Sequence, residues 1–242
     1  MTEKYQFIDK TLFFPEKGIL VFGDLHIGYD YMLRQSGVLI PERQIKDIIE
    51  NLKEIFSKIK GSGGKISKIV FLGDITHAFG FEFKERDEFL EIMDFIKTQV
   101  PKENIILIKG NHDTMDYSYG SMKEYHIEDE IAFLHGHKSF PEIFDKKVKI
   151  IVSGHLHPSV ILEEKPGVKR EAYKCFLEGK FKDKVFIVLP SFFGFIEGTP
   201  VNDYKEDYVE SFSIIPKKEM LNAKIYVVDE KNVYDFGKVK GP

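Results

Sequence analysis

The stretch Gly18-Ile19-Leu20-Val21-Phe22-Gly23-Asp24-Leu25-His26 decides how this chain is read. Gly18 to Phe22 is a short apolar run too brief for a helix and bounded by glycine, so it reads as a buried strand. It ends at Gly23-Asp24, which delivers a carboxylate to the strand's C-terminal edge. The pattern recurs downstream. Ile69 to Leu72 reads as a second buried strand ending at Gly73-Asp74, and Ile105 to Ile108 as a third ending at Gly110-Asn111-His112-Asp113. Ile131 to Leu134 leads into His135, and Ile150 to Val152 into Gly154-His155-Leu156-His157. Each of these five runs therefore ends in a cluster containing Asp, Asn or His.

Helices fill the gaps. Between Pro41 and Lys60 the apolar residues Ile45, Ile48, Ile49, Leu52, Ile55, Phe56 and Ile59 recur at helical spacing, with Pro41 near the start. Gly61-Ser62-Gly63-Gly64 then breaks the chain. Glu88 to Gln99 reads as a second helix, with Phe89, Ile92, Met93 and Ile96 on one face. After residue 160 the pattern changes. Ala172 to Phe176 with Val185 to Leu189 reads as one hairpin, and Ala223 to Val228 with Val233 to Phe236 as another. A βαβ-like first half and a mostly antiparallel second half fit two packed sheets with outer helices.

Composition bounds the function. The 242 residues suit one domain spanning 1–242, and 43% hydrophobic residues with 22 Phe supply a substantial core. A net charge of −4 lacks the basic excess of a dedicated nucleic-acid binder. Cys175 is the only cysteine, so no intrachain disulfide forms and a reducing compartment is expected. Met1 to Lys10 carries charges where a signal peptide needs an apolar core. No apolar run approaches the roughly 20 residues that span a bilayer. The expectation is a soluble cytoplasmic protein.

The polar clusters carry the chemistry. Seven of the eight histidines lie at or just past strand ends, beside Asp24, Asp74 and Asn111. Ligands bind at the carboxyl ends of strands in open α/β sheets. Imidazole suits transition metals and carboxylate or amide oxygen suits harder cations, so this cysteine-free set points to Mn, Fe or Zn. In Asp24-x-His26 and His155-x-His157, alternation puts both side chains on one side if the backbone stays extended. One carboxylate can bridge two cations about 3.5–4 Å apart, and such a pair clamps phosphate and makes hydroxide available near neutral pH. A histidine is suited to protonate the leaving alkoxide.

In their order, these motifs resemble those of the calcineurin-like metallophosphoesterases, over roughly Gly23 to Pro158. The resemblance implies an α/β fold, a four-layer αββα sandwich of two mixed β-sheets flanked by helices, and a dinuclear centre of divalent ions. Mn is favoured, with Fe, Zn and Ni as alternatives. It matches Asp24, His26 and His157 to the ligands of the first metal, Asp74 to the bridging carboxylate, and Asn111, His135 and His155 to the ligands of the second. His112 matches the histidine that contacts phosphate and protonates the leaving group, with Asp113 as its orienting partner. Either histidine of Leu134-His135-Gly136-His137 can be the ligand; His135 is favoured because it directly follows the strand. His126 reads as a surface residue.

Finer details resemble one branch. Gly73-Asp74-Ile75-Thr76-His77 is similar to the Gly-Asp-x-x-His of nucleases related to SbcD and Mre11, which makes His77 a phosphate contact or a supporting residue. Asp24-Leu25-His26-Ile27-Gly28, Gly37-Val38-Leu39-Ile40-Pro41 and Leu189-Pro190-Ser191-Phe192 look like a compact branch of archaeal proteins and bacterial phosphoesterases associated with a DNA ligase. The nucleases' capping domain is not expected here. The function implied is a phosphodiesterase acting on nucleotides or nucleic-acid ends, with single-stranded nucleic acid as a candidate substrate and DNA-repair proteins as partners. A phosphomonoesterase and a non-catalytic protein-binding scaffold are the alternatives. Phe192, Phe193 and Phe195 could stack on bases, although a partly buried loop is the plainer expectation, and the lysine-rich 165–184 region reads as a solvated face.

Overall fold

The computed structural model describes residues 4–77, 83–113, 121–163, 170–196, 198–202 and 213–238. Residues 165–169 of the lysine-rich stretch lie outside the described residues. The apolar runs form strands as expected: β3 (Ile19–Phe22), β4 (Lys68–Phe71), β5 (Ile105–Leu107), β7 (Ile131–Leu134) and β8 (Ile150–Ser153). Two short strands that the sequence reading passed over, β1 (Gln6–Ile8) and β2 (Thr11–Phe14), complete a first sheet in the order β1-β2-β3-β4-β5. Its β3/β4 and β4/β5 pairs are parallel, so their C-terminal ends share one edge.

Among the described residues the second sheet holds nine strands. The core path joins β6 (Tyr125–Glu128), β7, β8, β11 (Lys184–Val188), β10 (Arg170–Phe181), β9 (Pro158–Glu163) and β12 (Thr199–Pro200), and β13 (Lys224–Asp229) and β14 (Asn232–Lys238) extend it from β10. The parallel β7/β8 and β8/β11 pairs make this sheet mixed too. The β13/β14 hairpin lies where expected. The β10/β11 hairpin differs in register: Leu177 to Phe181 pairs with β11, while Ala172 pairs with Ile161 of β9 and Cys175 with Val227 of β13. Glu178, Gly179 and Lys180 obscured the strand's continuation, although strands tolerate polar residues where one face meets solvent.

Strict alternation explains why so many strand residues are apolar on both sides. Ile19 and Val21 face Ile131, Phe133, Ile150 and Val152 across the sheet–sheet interface. Leu20 and Phe22 face the other way, against α2 (Gln44–Gly61) and α3 (Phe83–Lys97), where Ile48, Leu52, Ile55, Phe89 and Ile92 cover them. Alternating residues of buried strands thus serve two cores at once. The outer face of the second sheet is covered more thinly, by α4 (Lys217–Leu221) and a single helical turn at Pro141–Phe144 among the described residues. Among those residues no helix is long and apolar enough to cross a membrane.

Candidate metal centre

The loops that follow β3, β4 and β5 meet those that follow β7 and β8, because all five strands are parallel within their sheets and end at a common edge. Backbone bonds carry the pairing past the strand ends: Asp24 N–H donates to Gly73 O (2.9 Å), His26 N–H to Asp74 O (3.0 Å) and Gly154 N–H to His135 O (2.9 Å). Asp24 and Asp74 are thereby held side by side in the first sheet, opposite His135 and His155 of the second.

The route by which each pair reaches the centre differs from the expected alternation. Asp24, His26, Asp74, His155 and His157 all have left-handed backbones, with φ between 46° and 68°. Non-glycine residues seldom occupy that region, and such strain collects at functional sites. The polypeptide turns sharply at each of these residues instead of running extended. Glycine is needed where the turns nest: a Cβ on Gly110 would lie 2.0 Å from Asp74 Oδ1, and one on Gly154 would lie 2.5 Å from Asp24 Oδ2.

Two groups of side chains share Asp74. Asp24, His26, Asp74 and His157 form one, and Asp74, His135 and His155 form the other, each with its candidate ligand atoms within 4.8 Å of one another. In the first, His157 Nε2 lies 3.2 Å from Asp24 Oδ1 and 3.3 Å from His26 Nε2, while His26 Nε2 lies 3.9 Å from Asp74 Oδ2. In the second, His135 Nε2 lies 3.3 Å from Asp74 Oδ2, 3.0 Å from Asn111 Oδ1 and 3.0 Å from His155 Nδ1. His135 Nδ1 donates to Leu72 O at 2.7 Å, which leaves Nε2 as the atom that meets these neighbours. Ring nitrogens and oxygens converging on one point, with their other atoms held by the protein, suit a cation.

The electrostatics point the same way. Burial pushes His26 down to about 3, reinforced by His157, and pushes His155 down to about 4, reinforced by His135. Both are neutral at pH 7, as metal ligation requires. Burial raises the Asp74 carboxyl, but its hydrogen bond with His135 and the charge of His135 outweigh this and hold it well below the carboxylate range. Burial opposes a charge on His135, yet Asp74 and Asp24 lift it to about 9. Two buried carboxylates thus draw positive charge into the centre, and a pair of divalent cations fits the donor set.

His135, and not His137, enters the cluster. The His137 ring stands 5.2 Å from that of His135, and burial, with His135 next, pushes it down to about 4. His112 sits at the rim with its ring 5.3 Å from His26 and 5.7 Å from His77. Its orientation comes from an unexpected source. His112 Nδ1 bonds the carbonyl of His77 at 3.0 Å, whereas Asp113 spends its oxygens on the backbone amides of Ile75 (2.9 Å), Thr76 (3.3 Å) and Gly110 (2.8 Å). Asp113 therefore ties the β4 loop to the β5 loop, and three amide donors leave a carboxylate little to offer a ring. His77 Nδ1 lies 3.4 Å from His26 Nδ1, so it stands behind His26. His126 lies away from the centre on β6, half-buried against Phe133 and 3.2 Å from Glu128, a sheet position and not the surface one expected.

Residues that sequence reading missed hold this arrangement from behind. Gln44 is buried and bonds three backbone groups of the first loop: its Nε2 donates to Leu25 O (3.0 Å) and His26 O (2.7 Å), and its Oε1 accepts from Gly28 N–H (3.1 Å). The available signal was its register, four residues before Ile48 on the buried stripe of α2, where a polar residue must have partners. Ser191 Oγ donates to Asp24 O at 2.8 Å.

A sheet sandwich with paired Asp/His clusters at one edge defines a class, and the family comparison agrees with it. The chain belongs to the calcineurin-like phosphoesterase family, whose model matches residues 18–144. That is a family of metal-dependent phosphoester hydrolases. Among solved structures, nuclease MPE of Pseudomonas putida superposes with a TM-score of 0.61 at 18% identity, over 94% of this chain and 92% of its own. A protein of unknown function from Aquifex aeolicus, AQ665, gives 0.39 at 20% identity over 57% of this chain and 78% of its own. A metallophosphoesterase from Sphaerobacter thermophilus gives 0.35 at 13% identity over 93% and 89%. No curated protein matches the chain.

Proposed function

We propose that the chain is a phosphodiesterase acting on nucleotides or nucleic-acid ends with two divalent cations, Mn²⁺ favoured. The observation that carries the reading is the place of Asp74, whose carboxylate belongs to both side-chain groups. In this reading Asp24, His26 and His157 would hold one cation and Asn111, His135 and His155 the other, with Asp74 available to both. Such a pair supplies Lewis-acid activation of water and phosphate. His112 gives a proton to the leaving oxygen. With Nδ1 committed to the His77 carbonyl, that proton rides on Nε2. His77 braces His26 and widens the polar rim beside His112, which favours a diester with a second substituent to place.

The Gly73-Asp74-x-x-His77 spacing supports kinship with SbcD- and Mre11-related proteins, and the fold shared with a nuclease is consistent with it. A cytoplasmic setting and DNA-repair partners belong to the same reading and rest on that resemblance. The test is hydrolysis of bis-p-nitrophenyl phosphate against p-nitrophenyl phosphate by metal-stripped protein with Mn²⁺ restored. Preference for the diester supports the reading, preference for the monoester moves it to a phosphatase, and turnover of neither favours a scaffold.

A further inference from the structure

Four rings in contact lead away from the centre. The Tyr29 ring stands edge-on to His77 with centroids 4.7 Å apart, Phe193 meets Tyr29 at 5.5 Å, and Phe195 meets Phe193 at 5.7 Å. Phe193 is buried and forms the backing, whereas Phe195 is 55% exposed. A lone exposed Phe means little on any surface. This one is tied to the metal-ligand loop. Phe192 N–H donates to Gly23 O (3.1 Å) and Phe193 N–H to Asp24 O (3.4 Å), while Lys174 Nζ donates to the carbonyls of Ser191 and Phe193. The backbone leading into Phe195 is therefore tied to the loop that carries Asp24.

Beside Phe195 a cavity of about 420 Å³ opens between the 192–195 turn and α2. Its far wall carries Asn51 and Asp47. An aromatic face accepts any base, and Asn and Asp side chains offer hydrogen bonds to a base edge. Glu50, Glu54 and Lys231 also line the cavity, and Lys231 is paired with Glu54 at 2.6 Å, so the net negative wall disfavours phosphate and suits the neutral part of a substrate over its backbone. We propose that Phe195, backed by Phe193 and Tyr29, is a stacking subsite for a nucleobase of the substrate, and that the adjoining cavity receives the base's hydrogen-bonding edge. The subsite rests on the phosphodiester reading and names its substrate class: esters of nucleosides.

Two esters with one leaving group test it: thymidine 5′-p-nitrophenyl phosphate and methyl p-nitrophenyl phosphate, with Mn²⁺-loaded protein. Phe195→Ala should raise KM for the thymidine ester about five-fold or more, the lower end of a lost base stack, and leave the methyl ester unchanged. Equal KM values for both proteins on the thymidine ester would overturn the subsite while leaving the phosphodiester reading intact. If neither ester is turned over, that reading fails, and anisotropy of 1,N6-etheno-AMP decides the subsite alone. Binding weakened by Phe195→Ala supports it; no binding, or binding equal in both proteins, overturns it.

Discussion

Asp74 Oδ2 lies 3.3 Å from His135 Nε2 and 3.9 Å from His26 Nε2, so one carboxylate of the first sheet faces a histidine from each half of the centre. The two sheets meet functionally at this atom. The preceding Gly73 and the close approach of Gly110 allow it, and the amide of His112 donates to the other oxygen at 3.0 Å.

His112→Ala should lower kcat on a diester by about 10²-fold or more, the usual worth of a positioned proton donor, with metal content unchanged. Steady-state kinetics and metal analysis on the same sample check it. A variant that retains full kcat shows that the proton comes from another group.

Much of this was legible in the sequence for a physical reason. A strand buried on both faces must be apolar throughout, so the runs ending at Phe22, Phe71 and Leu134 stand out, and the polar residues that follow can only lie at an edge. The rest was hidden because its cause lies elsewhere in the chain. The left-handed turns at Asp24 and His155 come from loop nesting that spacing does not encode. The bond from Gln44 to the His26 carbonyl joins residues 18 apart in sequence through the entry of α2. Spacing likewise does not show that three backbone amides take up the oxygens of Asp113, which favours a loop-joining role over orienting His112.

Asp113→Asn tests that reassignment. An Asn amide replaces one accepting oxygen with a donor, so the joint between the β4 and β5 loops should loosen. Metal content and kcat should fall together. Loss of kcat with metal fully retained would instead return Asp113 to the role of orienting the acid.

Gln44→Ala leaves two carbonyls and one amide of the first ligand loop without their partner. Unsatisfied buried groups cost about 1–3 kcal/mol each, so the metal-free protein should lose about 2 kcal/mol or more in urea unfolding. An unchanged midpoint would show that the loop holds itself.

The metal-free protein should be less stable at pH 5.5 than at pH 7. His26, His137 and His155 have folded pKa values of about 3, 4 and 4, below the ordinary 6.5, so the unfolded chain takes up their protons first. Their contribution is present above pH 6.5 and is lost as the pH falls towards 4. Asp113, which burial raises to about 6, works in the opposite sense as pH falls from 6 to its ordinary 3.8, and His135, raised to about 9, has its stabilising proton in place below 6.5. Burial lowers His77 and His126 as well, so the lowered histidines outnumber the two groups that work the other way, and thermal melts should shift down on acidification. An upward shift would contradict the buried, neutral state of these rings.

The most direct test of the dinuclear centre is the metal content of Mn²⁺-loaded, desalted protein beside that of Asp74→Asn, with circular dichroism verifying that both are folded. The account predicts two ions per chain in the unaltered protein and fewer than one in the variant, because both groups lose a shared anionic ligand. Two ions retained by Asp74→Asn, or a single ion in the unaltered protein, would contradict it.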